Sequence, residues 1–139
     1  MSLEGLDHVA LAVEDLEAAL RVYRDALGFD YLGRETVEEM DVEAVFLSAG
    51  GFHLELLRPL TDSSPISGFL KKRGEGLHHI ALKVTDLKGT LEKLKSAGVR
   101  LIDPAPRTGA LGKSVAFVHP KSCHGTLVEL CEEADQPSP

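Results

Sequence analysis

The stretch LDHVALAVEDL, residues 6–16, recurs as LHHIALKVTDL at residues 77–87. The copies share Leu, His, Ala, Leu, Val, Asp and Leu at matching places, and the offset is constant, 79 − 8 = 71. Each copy alternates like a strand. In the first, Val9, Leu11 and Val13 fall on one side and His8, Ala10 and Ala12 on the other. Each then reaches an Asp-Leu step, where Asp15 or Asp86 suits a helix N-cap. The repeat therefore predicts a strand followed by a helix, twice, with one histidine near the start of each strand.

Working outward, Ala18, Ala19, Leu20, Tyr23 and Leu27 continue the first helical pattern, and Gly28 is a natural stop. Residues 29–39, 42–48 and 52–58 read as strands, with a turn at Ala49-Gly50-Gly51 and Pro59 as terminator. Residues 59–76 form a linker containing a short helical piece, 66–72. The plan then repeats: a strand over 77–84, a helix with Leu87, Leu91, Leu94 and Ala97 on one face, and Gly98 as its stop. Strands follow at 99–102, 115–119 and 126–130, with a Pro- and Gly-rich loop at 104–112.

AVFL at 44–47 matches VAFV at 115–118, again at offset 71. FHLELL at 52–57 matches TLVELC at 126–131 at offset 74, which pairs Glu55 with Glu129 and puts three extra residues in the last hairpin. The expected fold is α+β: two tandem βαβββ units forming a curved, mostly antiparallel sheet around a metal site. One domain covers 1–139, with unit 1 at about 5–58, unit 2 at about 77–132 and an acidic tail at 133–139. The period is too long for a solenoid repeat and points to gene duplication.

The chain has 139 residues, 43% hydrophobic and 27% charged, enough for one packed domain. A net charge of −7 argues against nucleic acid or an anionic membrane as the main partner. No apolar run approaches a membrane span, and MSLEGLDHV carries no signal-peptide pattern. Cys123 and Cys131 are spaced for neither a disulfide framework nor a zinc site. They read as reduced thiols in a cytoplasm.

Each half supplies one histidine from its first strand and one glutamate from its last. His8, Glu55, His79 and Glu129 are thus a candidate ligand set. Two imidazoles and two carboxylates suit a first-row divalent ion and leave positions open for water or a chelating substrate. Taken singly, a strand histidine or a glutamate within LEL is more often structural. The recurrence of both types at matching places in both halves raises the odds.

At this point a resemblance becomes specific. The chain resembles the vicinal oxygen chelate superfamily, built from paired βαβββ units around a divalent metal, and within it the methylmalonyl-CoA epimerases (racemases). LDHVALAV (6–13), SSPISGFLKKRGEGLHHIAL (63–82), GVRLIDPAPRTGALGKSVAFVHPKS (98–122) and LVEL (127–130) carry the match, which covers nearly the whole chain. The resemblance places the family's metal ligands on His8, Glu55, His79 and Glu129. Some members have glutamine where this chain has Glu55, so Glu55 adds negative charge at the metal. It implies an isomerase acting on an acyl-CoA and a divalent cofactor, Co2+ first, with Mn2+, Ni2+ or Zn2+ as alternatives. It also implies a homodimer.

Epimerisation between a thioester and a carboxylate needs a polarised carbonyl, a base on each face of the carbon and a dry site. The resemblance assigns the two acid/base carboxylates to Glu43 and Glu129. Glu43 shares a strand face with Val45 and Leu47, so an inward Glu43 is expected among apolar side chains. Its counterpart in the second half is Ser114, 43 + 71, so this carboxylate has no twin. Lys113, Lys121 and Ser122 are candidate contacts to coenzyme A or the substrate carboxylate. His53, His78, His119 and His124 are the competing histidines. His78 points away from His79 by strand alternation, whereas His53 shares a face with Glu55. Rival readings are a glyoxalase-type isomerase, a ring-cleaving dioxygenase using two histidines and one carboxylate, and a metal-free small-molecule-binding protein.

Overall fold

The computed structural model of the chain describes residues 2–134. Its order begins β1 (Leu3–Ala12), α1 (Leu16–Leu20), β2 (Asp30–Val37), β3 (Val42–Ala49), β4 (Phe52–Pro59) and α2 (Pro65–Arg73). It continues with β5 (Gly76–Val84), α3 (Leu87–Ser96), β6 (Arg107–Thr108), β7 (Ser114–Val118) and β8 (Val128–Glu132).

Asp15 and Asp86 each start a helix as their spacing predicts. The Asp15 carboxylate accepts from the Ala18 amide, and the Asp86 carboxylate from the Gly89 amide. The first helix changes character after one turn. It runs on as a π-helix over Arg21–Ala26, with the Leu27 amide donating to the Val22 carbonyl at 2.8 Å. Gly28, at φ 92°, turns the chain out of it.

The chain forms two compact units, residues 8–78 and residues 2–7 with 79–134. The first unit's strand order is β2-β3-β4-β1, the second's β5-β8-β7-β6. In each, the first strand pairs in parallel with the last, and the remaining pairs are antiparallel. Both units are thus the expected mixed α+β arrangement.

The duplication reaches into the cores. Val13, Leu16, Leu20, Val45, Leu47, Leu54 and Leu56 form the buried cluster of the first unit. Val84, Leu87, Leu91, Ala116, Val118, Val128 and Leu130 form that of the second. These correspond one to one: five pairs at offset 71 and the two on the last strand at offset 74. Burial of each leucine contributes on the order of 1.5–3 kcal/mol, so these positions hold each helix on its sheet.

Three boundaries differ from expectation. Residues 99–102 do not form a regular strand; Leu101 makes an isolated bridge to Val118, and the short β6 falls inside the expected loop. The segment meets β7 only briefly, the Ile102 and Asp103 amides both donating to the Phe117 carbonyl. The last strand begins at Val128, not Thr126. A register shift lies between Tyr31 and Gly33 in β2. The expected tail lies, from residue 135 on, outside the described residues. No helix among those described is long and apolar enough to cross a membrane.

Candidate active site and metal centre

In the first unit, β1 and β4 run in parallel with Ala10 opposite Glu55. His8 lies two residues before Ala10 and so on the same face. His8 Nδ1 consequently stands 3.2 Å from Glu55 Oε2. On the other side of β4, Phe46 lies opposite Glu55. The carboxylate is therefore set between a methyl group and an aromatic ring. His8 and Glu55 are both buried.

The second unit repeats the construction. Ala81 lies opposite Glu129 across the parallel β5–β8 pair, and His79 is again two residues earlier. His79 Nε2 stands 3.7 Å from Glu129 Oε1. Phe117 lies opposite Glu129 on β7, and its ring meets the His79 ring edge-on, centroids 5.3 Å apart. The hairpin insertion shifts the offset of β8 to 74 but leaves its register with β5 unchanged. Ala10 and Ala81, like Phe46 and Phe117, are residues that a search for ligand types alone passes over. The signal for the phenylalanines was present in AVFL and VAFV, and that for the alanines in LDHVALAV and LHHIAL.

Each pair fits a divalent cation by its chemistry. A buried ionised carboxylate is stabilised by positive charge nearby. A neutral imidazole beside an ionised carboxylate is a donor set for first-row ions, not for thiolate-selected ones.

Glu129 has a further partner. The Cys131 thiol donates to Glu129 Oε1 at 3.1 Å. Burial first, and then the Glu129 carboxylate, push this thiol far above its ordinary value, so it stays protonated. An Asp7 carboxylate oxygen lies within 4.8 Å of the sulfur. Both Asp7 oxygens are 3.1 Å from Lys113 Nζ, and Glu133 lies 3.5 Å from the same ammonium. Burial pulls the Lys113 value down, but Asp7 and Glu133 outweigh it and leave it raised. Lys113, expected at coenzyme A, thus has its charge engaged by carboxylates of its own unit.

Glu43 shares its face with Val45 and Leu47 as expected, but that face packs on α1, where both join Leu16 and Leu20. Phe46 and Glu55 belong to the opposite face. Nor are the surroundings of Glu43 purely apolar. Arg34 Nη1 is 3.2 Å from Oε1 and Arg58 Nη2 is 2.9 Å from Oε2. The cause is register: Arg58 lies directly opposite Glu43 on β4. Arg34 also reaches Glu17 of α1, at 2.8 Å.

Lys121 and Ser122 lie on a 3-10 turn, Pro120–Cys123. Lys121 is exposed, and Ser122 Oγ accepts from the Arg100 amide at 2.8 Å. Among the competing histidines, His53 is exposed and His78 packs edge-on against Phe69. His119 Nδ1 accepts from the Lys121 amide. His124 occupies a left-handed turn at φ 55°.

Residues 7–117 match the family model for the glyoxalase/bleomycin resistance protein/dioxygenase superfamily. An ethylmalonyl-CoA/methylmalonyl-CoA epimerase of Cereibacter sphaeroides is 43% identical over 127 residues, covering 90% of this chain and 95% of that protein. The chain belongs to the methylmalonyl-CoA epimerase family. Solved structures of methylmalonyl-CoA epimerases agree. That from Mycobacterium tuberculosis superposes with a TM-score of 0.91 at 37% identity, covering 96% of this chain and 90% of that one. A methylmalonyl-CoA epimerase in complex with methylmalonyl-CoA and NH4+ gives 0.90 at 37% identity, covering 99% and 100%. Within this family the repeated His–Glu contact is the feature of this chain that bears on chemistry.

Proposed function

We propose that the chain is a divalent-metal-dependent epimerase that interconverts the (R) and (S) forms of methylmalonyl-CoA by removing and returning the α-proton through an enolate. The observation that carries this reading is the His–Glu contact built at the same register in both units. His8, Glu55, His79 and Glu129 together would hold one ion, two donors from each half. When bound, such an ion supplies Lewis-acid polarisation of the substrate's thioester carbonyl.

The chain's own residues do the rest. Phe46 and Phe117, with Ala10 and Ala81, line the carboxylates with apolar surface and exclude water from them. Glu129 takes the α-proton from one face, and a second acid must deliver one to the opposite face to invert the centre. The resemblance gives the opposite face to Glu43. The two arginines and the helix-packed face favour a structural role for Glu43, so Glu129 is carried here as the base of its own face, where proton exchange needs no second acid. Lys121 and Ser122 remain the proposed contacts to coenzyme A, with Lys113 a weaker one because Asp7 holds it. Cobalt is the first metal to test, before manganese, nickel and zinc. A homodimer in a cytoplasm is the proposed setting.

Deuterium uptake at the α-carbon of methylmalonyl-CoA, followed by NMR in deuterium oxide, tests this reading. The metal-loaded protein is expected to exchange that proton, and the EDTA-stripped protein to lose at least 100-fold in rate, about the low end for losing a metal's charge stabilisation. No exchange by the loaded protein, or turnover of methylglyoxal with glutathione in its place, would overturn it.

A further inference from the structure

We propose that Cys131 is a positioning residue, whose S–H bond to Glu129 Oε1 fixes the rotation of the carboxylate that handles the substrate proton. This rests on the epimerase reading of Glu129. The terminal torsion of a glutamate is broad and roughly two-fold, so burial among apolar atoms does not by itself decide where each oxygen points. His79 Nε2 stands 3.7 Å from Oε1, beyond hydrogen-bond length, whereas the Cys131 thiol, two residues on along the same strand face, reaches it at 3.1 Å. Cys131 and Glu129 are adjacent same-face residues of β8, and both are buried.

Three observations favour the thiol as a built device. The first is competition. An Asp7 carboxylate oxygen lies within 4.8 Å of the sulfur, yet Lys113 engages both Asp7 oxygens at 3.1 Å, and the thiol donates to Glu129. The second is the duplication. Cys131 pairs with Lys83, and its counterpart Leu57 pairs with Ala12, since 83 − 12 = 71. Leucine has no donor, so Glu55 receives no hydrogen bond from the position that serves Glu129. The third is strength. A thiol is a weak donor. It orients an oxygen while leaving the carboxylate more of its basicity than a hydroxyl or an ammonium would.

The test compares Cys131→Ala, Cys131→Val and Cys131→Ser in the metal-loaded enzyme. The Ala and Val variants are expected to lose about 10-fold in kcat, the low end for supporting partners of metal ligands, with KM and metal content unchanged. Cys131→Ser, which keeps a donor, restores most of that loss. A second readout needs neither metal nor activity. The S–H stretching band of Cys131, assigned by the difference between wild-type and Cys131→Ser spectra, should lie below that of Cys123. Wild-type kcat in both the Ala and Val variants, or a Cys131 band at or above that of Cys123, would overturn the proposal. A wild-type protein that exchanges no substrate proton would count against the epimerase reading instead, and the band would still decide the thiol contact.

Discussion

His8 Nδ1 lies 3.2 Å from Glu55 Oε2 on a parallel strand pair in which Ala10, two residues past the histidine, faces the glutamate. His79 and Glu129 meet at 3.7 Å by the same construction, with Ala81 in the place of Ala10. Small residues at those places leave the space beside each carboxylate to the imidazole. Ala81→Leu should therefore reduce metal affinity and destabilise the fold by about 1–3 kcal/mol, the usual result of overpacking. Chemical denaturation and metal titration check both effects.

Glu43 between Arg34 and Arg58 gives a second prediction. Both arginines are partly exposed, so solvent screens the pairs and Glu43→Gln should cost only about 1 kcal/mol. Deuterium uptake by the substrate should persist in this variant. A sharp fall in exchange with stability and metal content intact would instead support the acid/base role that the family resemblance assigns to Glu43.

The Lys113–Asp7 pair should set the alkaline limit of stability. The folded Lys113 value is raised above 10.5. Its contribution is therefore fully present below 10.5 and is lost as pH rises through the folded value. Lys113→Met should cost about 1–3 kcal/mol at neutral pH, since it leaves a part-buried Asp7 without that ammonium. It should also flatten the stability profile above pH 10.5. Urea titrations from pH 7 upward measure both.

The two helices make equivalent contributions, so Leu20→Ala and Leu91→Ala should behave alike. Each leucine is at most 1% exposed and belongs to the matched cluster of its unit. Losses of about 2–5 kcal/mol are expected from each. A near-neutral result for either would mean that the corresponding helix is not held by that contact.

The duplication was legible because it is written in residue identity as well as in pattern. The repeated LDHVALAV and LHHIAL segments located both histidines, and LELL against LVEL located both glutamates. Register was not legible. Alternation tells which residues share a face of one strand, but not which face a neighbouring strand turns toward it. For that reason alternation groups Glu43 with Val45 and Leu47 but shows neither the helix nor the arginines that share that side. Strand Val128–Glu132 begins later than its apolar content suggests, and residues 99–102 pair too briefly with Val118 to make a strand. Cys131 showed only as a thiol of ordinary spacing; its place beside Glu129 Oε1 needed the third dimension.

The proposed ligand set has two His–Glu pairs, one from each half, serving a single ion. Elemental analysis of the full chain after loading and gel filtration tests it most directly. One divalent ion per chain is predicted, falling to none in the double variant His8→Ala/Glu55→Ala and in His79→Ala/Glu129→Ala. Two ions per chain, or one ion retained when either pair is removed, would contradict it.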